Sequence, residues 1–94
     1  MIIIAGHTLT EPGARDAAVE AFRNMVERAR KQDGCLDLSI SADPVDADRI
    51  NLFELWRDQE SLDAWRKVAK GPRGIKYRKA LVKLYRTERA EKPF

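Results

Sequence analysis

The chain is poor in the residues that most often carry catalysis or covalent bracing. Its 94 residues hold one cysteine and one histidine. A single cysteine, Cys35, excludes an internal disulfide and suits a reducing compartment, so a cytoplasmic location is expected. One histidine and one cysteine cannot build a closed zinc site, and no hydrolase triad is present. There is no glycine-rich phosphate loop, no zinc-finger spacing and no aromatic RNA-binding signature. No apolar run approaches the ~18 residues of a membrane span, so no membrane partner is expected. Met1–Ala5 has no basic leader and reads as a strand. The acidic segment 43–48 lacks the glycine and the terminal glutamate of a calcium loop. Neither a metal nor a cofactor is expected.

What is present is a single domain with a modest core. Its net charge of +3 conceals an asymmetry. Residues 1–65 carry 7 basic and 13 acidic side chains, whereas residues 66–94 carry 11 basic and 2 acidic ones. The basic third attracts an anionic ligand or a phosphate backbone in principle. A solvated basic face and tail is the favoured explanation, and without a nucleic-acid-reading motif a nucleic acid partner is disfavoured.

Residues 2–9 are rich in β-formers and read as a strand, stopped by Pro12 and Gly13. From Ala14 to about Lys31, Ala18, Phe22, Met25 and Ala29 recur at helical spacing, and Val19 and Val26 widen the stripe. Gly34 ends that helix in a left-handed cap. Residues 35–42 alternate as a second strand, and 49–57 form a third after an acidic loop. Asp58 caps a second helix that carries Leu62 and Trp65 inward, and Gly71-Pro72 breaks it. Residues 73–80 read as a basic loop or short helix, and 81–89 as the last strand.

This order, βαββαβ, is the ferredoxin-like α+β arrangement: a four-stranded antiparallel sheet with both helices on one face. The first and third strands are apolar on both sides. A sheet of that kind needs two covers, and the helices supply one. A second copy of the chain, sheet against sheet, is the expected other, giving a homodimer.

Few side chains suggest chemistry. His7, the sole histidine, titrates near neutrality and is a candidate base; a hydrogen-bonded imidazole at a strand end is the competing reading. Asn51 and Glu54 interrupt the third strand. An amide there can hold an oxyanion, and an interface role fits as well. Trp56 and Trp65 suit core packing first, a role compatible with walling a cavity for a flat ring. Tyr77, Tyr85 and Arg86, in the basic third, are candidates for orienting a small aromatic, anionic ligand, although an ordinary exposed basic strand and loop is the favoured reading. Cys35 follows the helix-ending glycine and reads as a buried small residue more readily than as a nucleophile.

The stretch Gly34–Trp65 resembles the antibiotic-biosynthesis-monooxygenase group of the dimeric α/β-barrel superfamily. The shared features are Gly34-Cys35 at a strand start, Asp43-Pro44 in the acidic loop, and Glu54-Leu55-Trp56 closing a strand before a helix. The resemblance implies a ferredoxin-like homodimer and cofactor-independent oxidation of a polycyclic or quinol-like aromatic by molecular oxygen. It implies His7 as base, Asn51 as the amide that orients oxygen, and the two tryptophans as walls. A non-catalytic dimeric ligand-binding or stress-response module is the alternative on the same fold. The haem-degrading branch of the superfamily resembles the chain at Trp65. It uses a strand asparagine where His7 stands and a helix histidine near Ile75, and that departure argues against it.

Overall fold

Aliphatic and β-branched residues crowd Ile2–Thr10 and make it strand β1. The computed structural model describes residues 1–94. After β1 come α1 (Arg15–Ala21), α2 (Arg23–Arg30), β2 (Cys35–Ala42), β3 (Arg49–Trp56), α3 (Gln59–Val68) and β4 (Tyr77–Arg86). The strands form one sheet in the order β2-β3-β1-β4, with every neighbouring pair antiparallel. This is the ferredoxin-like arrangement expected from the sequence.

Local chemistry sets the boundaries. Gly34 ends α2's exit turn at φ +83°, and a side chain there would collide with Ser61. Asp58 caps α3 by accepting the Ser61 backbone N–H at 2.8 Å. The one long helix expected over 14–31 is instead divided at Phe22. The Phe22 N–H is shared between the carbonyls of Ala18 and Val19, at 3.3 and 3.1 Å, so the turn tightens there while the backbone stays right-handed.

The last strand differs more. It begins at Tyr77, four residues before the expected start, and ends at Arg86. The charged run Lys76–Lys79 has no strand-like alternation of its own. Its conformation follows from pairing with β1, which continues from Ile2 opposite Arg86 to Thr10 opposite Tyr77. Arg78 Nε donates to the Thr10 carbonyl at 2.8 Å and fastens that end. Gly6 lets the two strands approach closely, because a Cβ at that position would overlap the Leu81 carbonyl oxygen.

Register decides which side chains share a face. Ile2 stands opposite Trp56, Ile4 opposite Glu54, and Leu38 opposite Glu54 on the other side. Ile2, Leu38 and Trp56 join Ala29, Leu62 and Trp65 in the core, so this parity faces the helices. The opposite parity, Ile3, Ala5, His7, Asn51, Phe53 and Leu55, faces away from them. The helix side is filled by the tryptophans. Trp56 is fully buried, Trp65 is 5% exposed, and their rings stack with centroids 6.1 Å apart. The Arg28 guanidinium lies 5.8 Å above Trp65.

Candidate functional site

After α3 the chain turns through Gly71 over the α1–α2 junction. A side chain at 71 would come within van der Waals range of Met25 Sδ and the Phe22 ring. This path carries Arg73–Lys76 against α1 and the end of β1. Between them lies a cleft of about 320 Å³. Ala14, Ala17, Ala18, Ala21 and Ile75 form its apolar walls, and Thr10, Glu11, Arg73 and Lys76 add the polar groups. The size lies at the small end of ligand sites, roughly 300–1,000 Å³, and suits one or two fused rings.

The polar groups differ in availability. The Thr10 hydroxyl is committed to the carbonyls of Glu11 and Asp48. Glu11, Arg73 and Lys76 make no ion pair, with each other or with any other residue. Arg15, by contrast, is bound to Asp16 and to the carbonyls of Asp43 and Asp46. The cleft therefore offers one free acceptor and two free cations against an alanine wall. Small alanine side chains on α1 are what leave the room.

A second polar group on the helix side is Glu54. It is half-buried between Ile4 and Leu38, and burial pushes its carboxyl above the usual range, opposed by a hydrogen bond from Trp56. Its neighbour Cys35 is also raised, first by burial and then by the Glu54 charge. That setting describes an unreactive thiol.

None of the residues singled out from the sequence lines the cleft. His7 does not face the space between helices and sheet; strand parity puts it on the opposite face, beside Asn51 and Leu81. Asn51 shares that face and its amide is occupied at both ends. Its Nδ2 donates to Asp43 at 2.9 Å, and its oxygen accepts from Arg49 Nε at 2.7 Å. These bonds, with the backbone N–H groups of Asp46 and Val45, hold the Asp43 carboxyl at about 2. Asn51 thus shapes the acidic loop. Trp56 and Trp65 pack in the core, where their rings stack, and neither lines the cleft. Tyr77 sits at the start of β4 near the cleft, with its hydroxyl raised by burial. Tyr85 lies on the outer face opposite Ile3, and Arg86 donates to Gln59. The sequence held one signal for the cleft itself, the cations on either side of Gly74; nothing in it linked Glu11 to them.

Residues 1–70 match the family model described as antibiotic biosynthesis monooxygenase. A curated relative, the uncharacterized protein sll1783 of Synechocystis, is 26% identical over 62 residues, which are 66% of this chain; the chain spans 42% of that relative's length. Among solved structures, a conserved protein from Methanosarcina mazei Go1 is similar with TM-score 0.71 at 15% identity, covering 93% of this chain and 92% of that one. A protein from Pseudomonas aeruginosa gives 0.70 at 22% identity, with 93% of each chain covered. A structure named as an antibiotic biosynthesis monooxygenase gives 0.70 at 20% identity, covering 95% and 100%. At these identities the likeness is one of fold.

Proposed function

The chain belongs to the antibiotic biosynthesis monooxygenase family, and on that premise we propose that it oxidises a phenolic or quinol-like aromatic with molecular oxygen, using no cofactor, in the cleft between α1 and Arg73–Lys76. The observation that carries this reading is an apolar cleft with one unpaired carboxylate and two unpaired cations. Glu11 accepts the substrate's hydroxyl proton. The positive potential of Arg73 and Lys76 lowers the cost of the resulting phenolate and of the reduced oxygen formed beside it. The alanine wall gives the ring an apolar surface to lie on. The electrons balance without an outside reductant: a phenol and one O2 give a quinone and one water. One oxygen atom becomes the new carbonyl and the other leaves as water, and the substrate supplies all four electrons.

The outer sheet face is covered by a second copy in this reading, completing a dimeric α/β barrel. The chain exposes 6674 Å², where a compact monomer of 10.8 kDa exposes about 5,500 Å². The surplus, roughly 1,100 Å², exceeds the ~800 Å² each partner gives to a standard interface. Every residue of β4 is exposed. Charge orients the pair. Residues 35–48 hold four acids and no base, and 73–86 hold six bases and no acid. A twofold axis along the strands sets β4 against the partner's β2 edge and joins opposite charges. The lone free thiol suits a cytoplasmic setting.

A second reading, a non-catalytic dimeric ligand-binding module, is favoured by the tryptophans that fill the helix–sheet space and by the outward His7. The deciding experiment is oxygen uptake with 1-naphthol under 18O2. The oxidation predicts uptake above the uncatalysed rate and one labelled atom in the quinone. Saturable binding with no added uptake would leave only the ligand-binding module.

A further inference from the structure

We infer that the cleft selects a hydroxyaryl carboxylate, with the ring's hydroxyl at Glu11 and its carboxylate at Arg73 and Lys76. The inference deepens the proposed oxidation by naming the substrate class of the same site. A phenol alone would need one acceptor and a general positive potential. The cleft has more than that. Two cations stand on one segment, either side of Gly74 and Ile75, and neither is neutralised by Glu11 or by any other carboxylate. Arg73 and Lys76 also lie beyond the residues matched to the family model.

Six of the chain's 18 basic side chains are held in ion pairs, and Arg73 and Lys76 are among the twelve that are not. Arg15, Arg23, Arg49, Arg57, Arg78 and Arg89 are all in ion pairs. The exposed guanidinium and ammonium stand beside the apolar wall, free to take a carboxylate. The guanidinium fork accepts it bidentately, and the ammonium adds a point charge. Glu11 forms no ion pair with either cation, so the acceptor and the cations are separate stations. A ligand that satisfies both carries its hydroxyl and its carboxylate on different positions of one ring system. About two fused rings fit the volume.

The probes are 6-hydroxy-2-naphthoate, its methyl ester and 2-naphthoate, each titrated by calorimetry at low salt so that binding is read apart from turnover. The acid is expected to bind roughly ten- to a hundredfold tighter than the ester, as for a charge-assisted hydrogen-bonded pair. Arg73→Met and Lys76→Met should each weaken acid binding more than ester binding and so shrink that preference. Arg73→Lys should keep the charge and lose part of the preference. Glu11→Gln should instead narrow the gap between the acid and 2-naphthoate, which lacks the hydroxyl. Equal binding of acid and ester, or an equal loss of both in Arg73→Met, would overturn the inference. Oxygen uptake with no acid preference would remove this inference and leave the oxidation; acid preference with no uptake would do the reverse.

Discussion

Trp56 donates its indole N–H to the carboxylate of Glu54, 3.0 Å away and two residues back along β3. The bond gives a half-buried carboxylate its only side-chain partner, and it also satisfies the one polar atom of a fully buried indole.

Burial still dominates Glu54, and its sign sets a pH dependence. The folded-state pKa lies above the unfolded value of 4.5, so the folded state holds the proton more tightly. Ionising Glu54 therefore costs stability as pH rises from the unfolded toward the folded pKa, and the cost is absent below both. Glu54→Gln keeps an acceptor for Trp56 and removes the charge. Thermal melts should show the variant more stable than the parent at pH 7, with the gain shrinking as pH falls toward 4.5 and absent below it. A gain that is unchanged at acid pH would mean the effect is packing.

Trp65 supports the fold whatever the chemistry. It is 5% exposed and stacks on Trp56. Deleting such an indole costs ~3–5 kcal/mol. Trp65→Ala should lower the melting temperature sharply, and an unchanged melt would contradict the stacked core.

His7 and Glu11 separate two accounts of the base. His7 faces away from the helices, whereas Glu11 lines the cleft. Removing a working general base typically lowers the rate ~10²–10⁴-fold. With 1-naphthol, Glu11→Gln should lose turnover on that scale and His7→Ala should keep it. The reverse result would move the chemistry to the outer sheet face.

The outer face should bind a second copy. Phe53 lies at its centre, between Ala5 and Ser39 on the neighbouring strands. Sedimentation of the parent at micromolar concentration should give twice the 10.8 kDa chain mass. Phe53→Asp should shift it toward the monomer, since a buried unpaired charge is strongly disfavoured. High salt should weaken the parent dimer if opposite edge charges orient it. A parent that sediments as a folded monomer would remove the second cover.

Much of the architecture is written in local pattern. The stripe from Ala18 to Ala29 specifies a buried helix face, Gly34 and Asp58 mark helix ends, and the two-sided apolar character of β1 and β3 announces a sheet that needs two covers. These features depend on neighbours within a few residues, where periodicity and capping chemistry act. The start of β4 was not legible, because its charged first residues take their conformation from β1, some seventy positions earlier.

The candidate site was legible only in pieces. Alternation along β1 separates His7 from Ile2 and Ile4 only in so far as it defines two faces; it does not say which face meets the helices. That choice was made when Ile2, Leu38 and Trp56 packed under Leu62 and Trp65, and it sent His7 and Asn51 to the other side. The sequence by itself determined the order of elements, the caps and the need for a second cover, because side-chain period and backbone preference are local. Only the tertiary structure decided that the tryptophans fill the interior and that Glu11 meets Arg73 and Lys76 across one cleft, because those neighbours are joined by the return of the chain over α1 and not by any spacing along it.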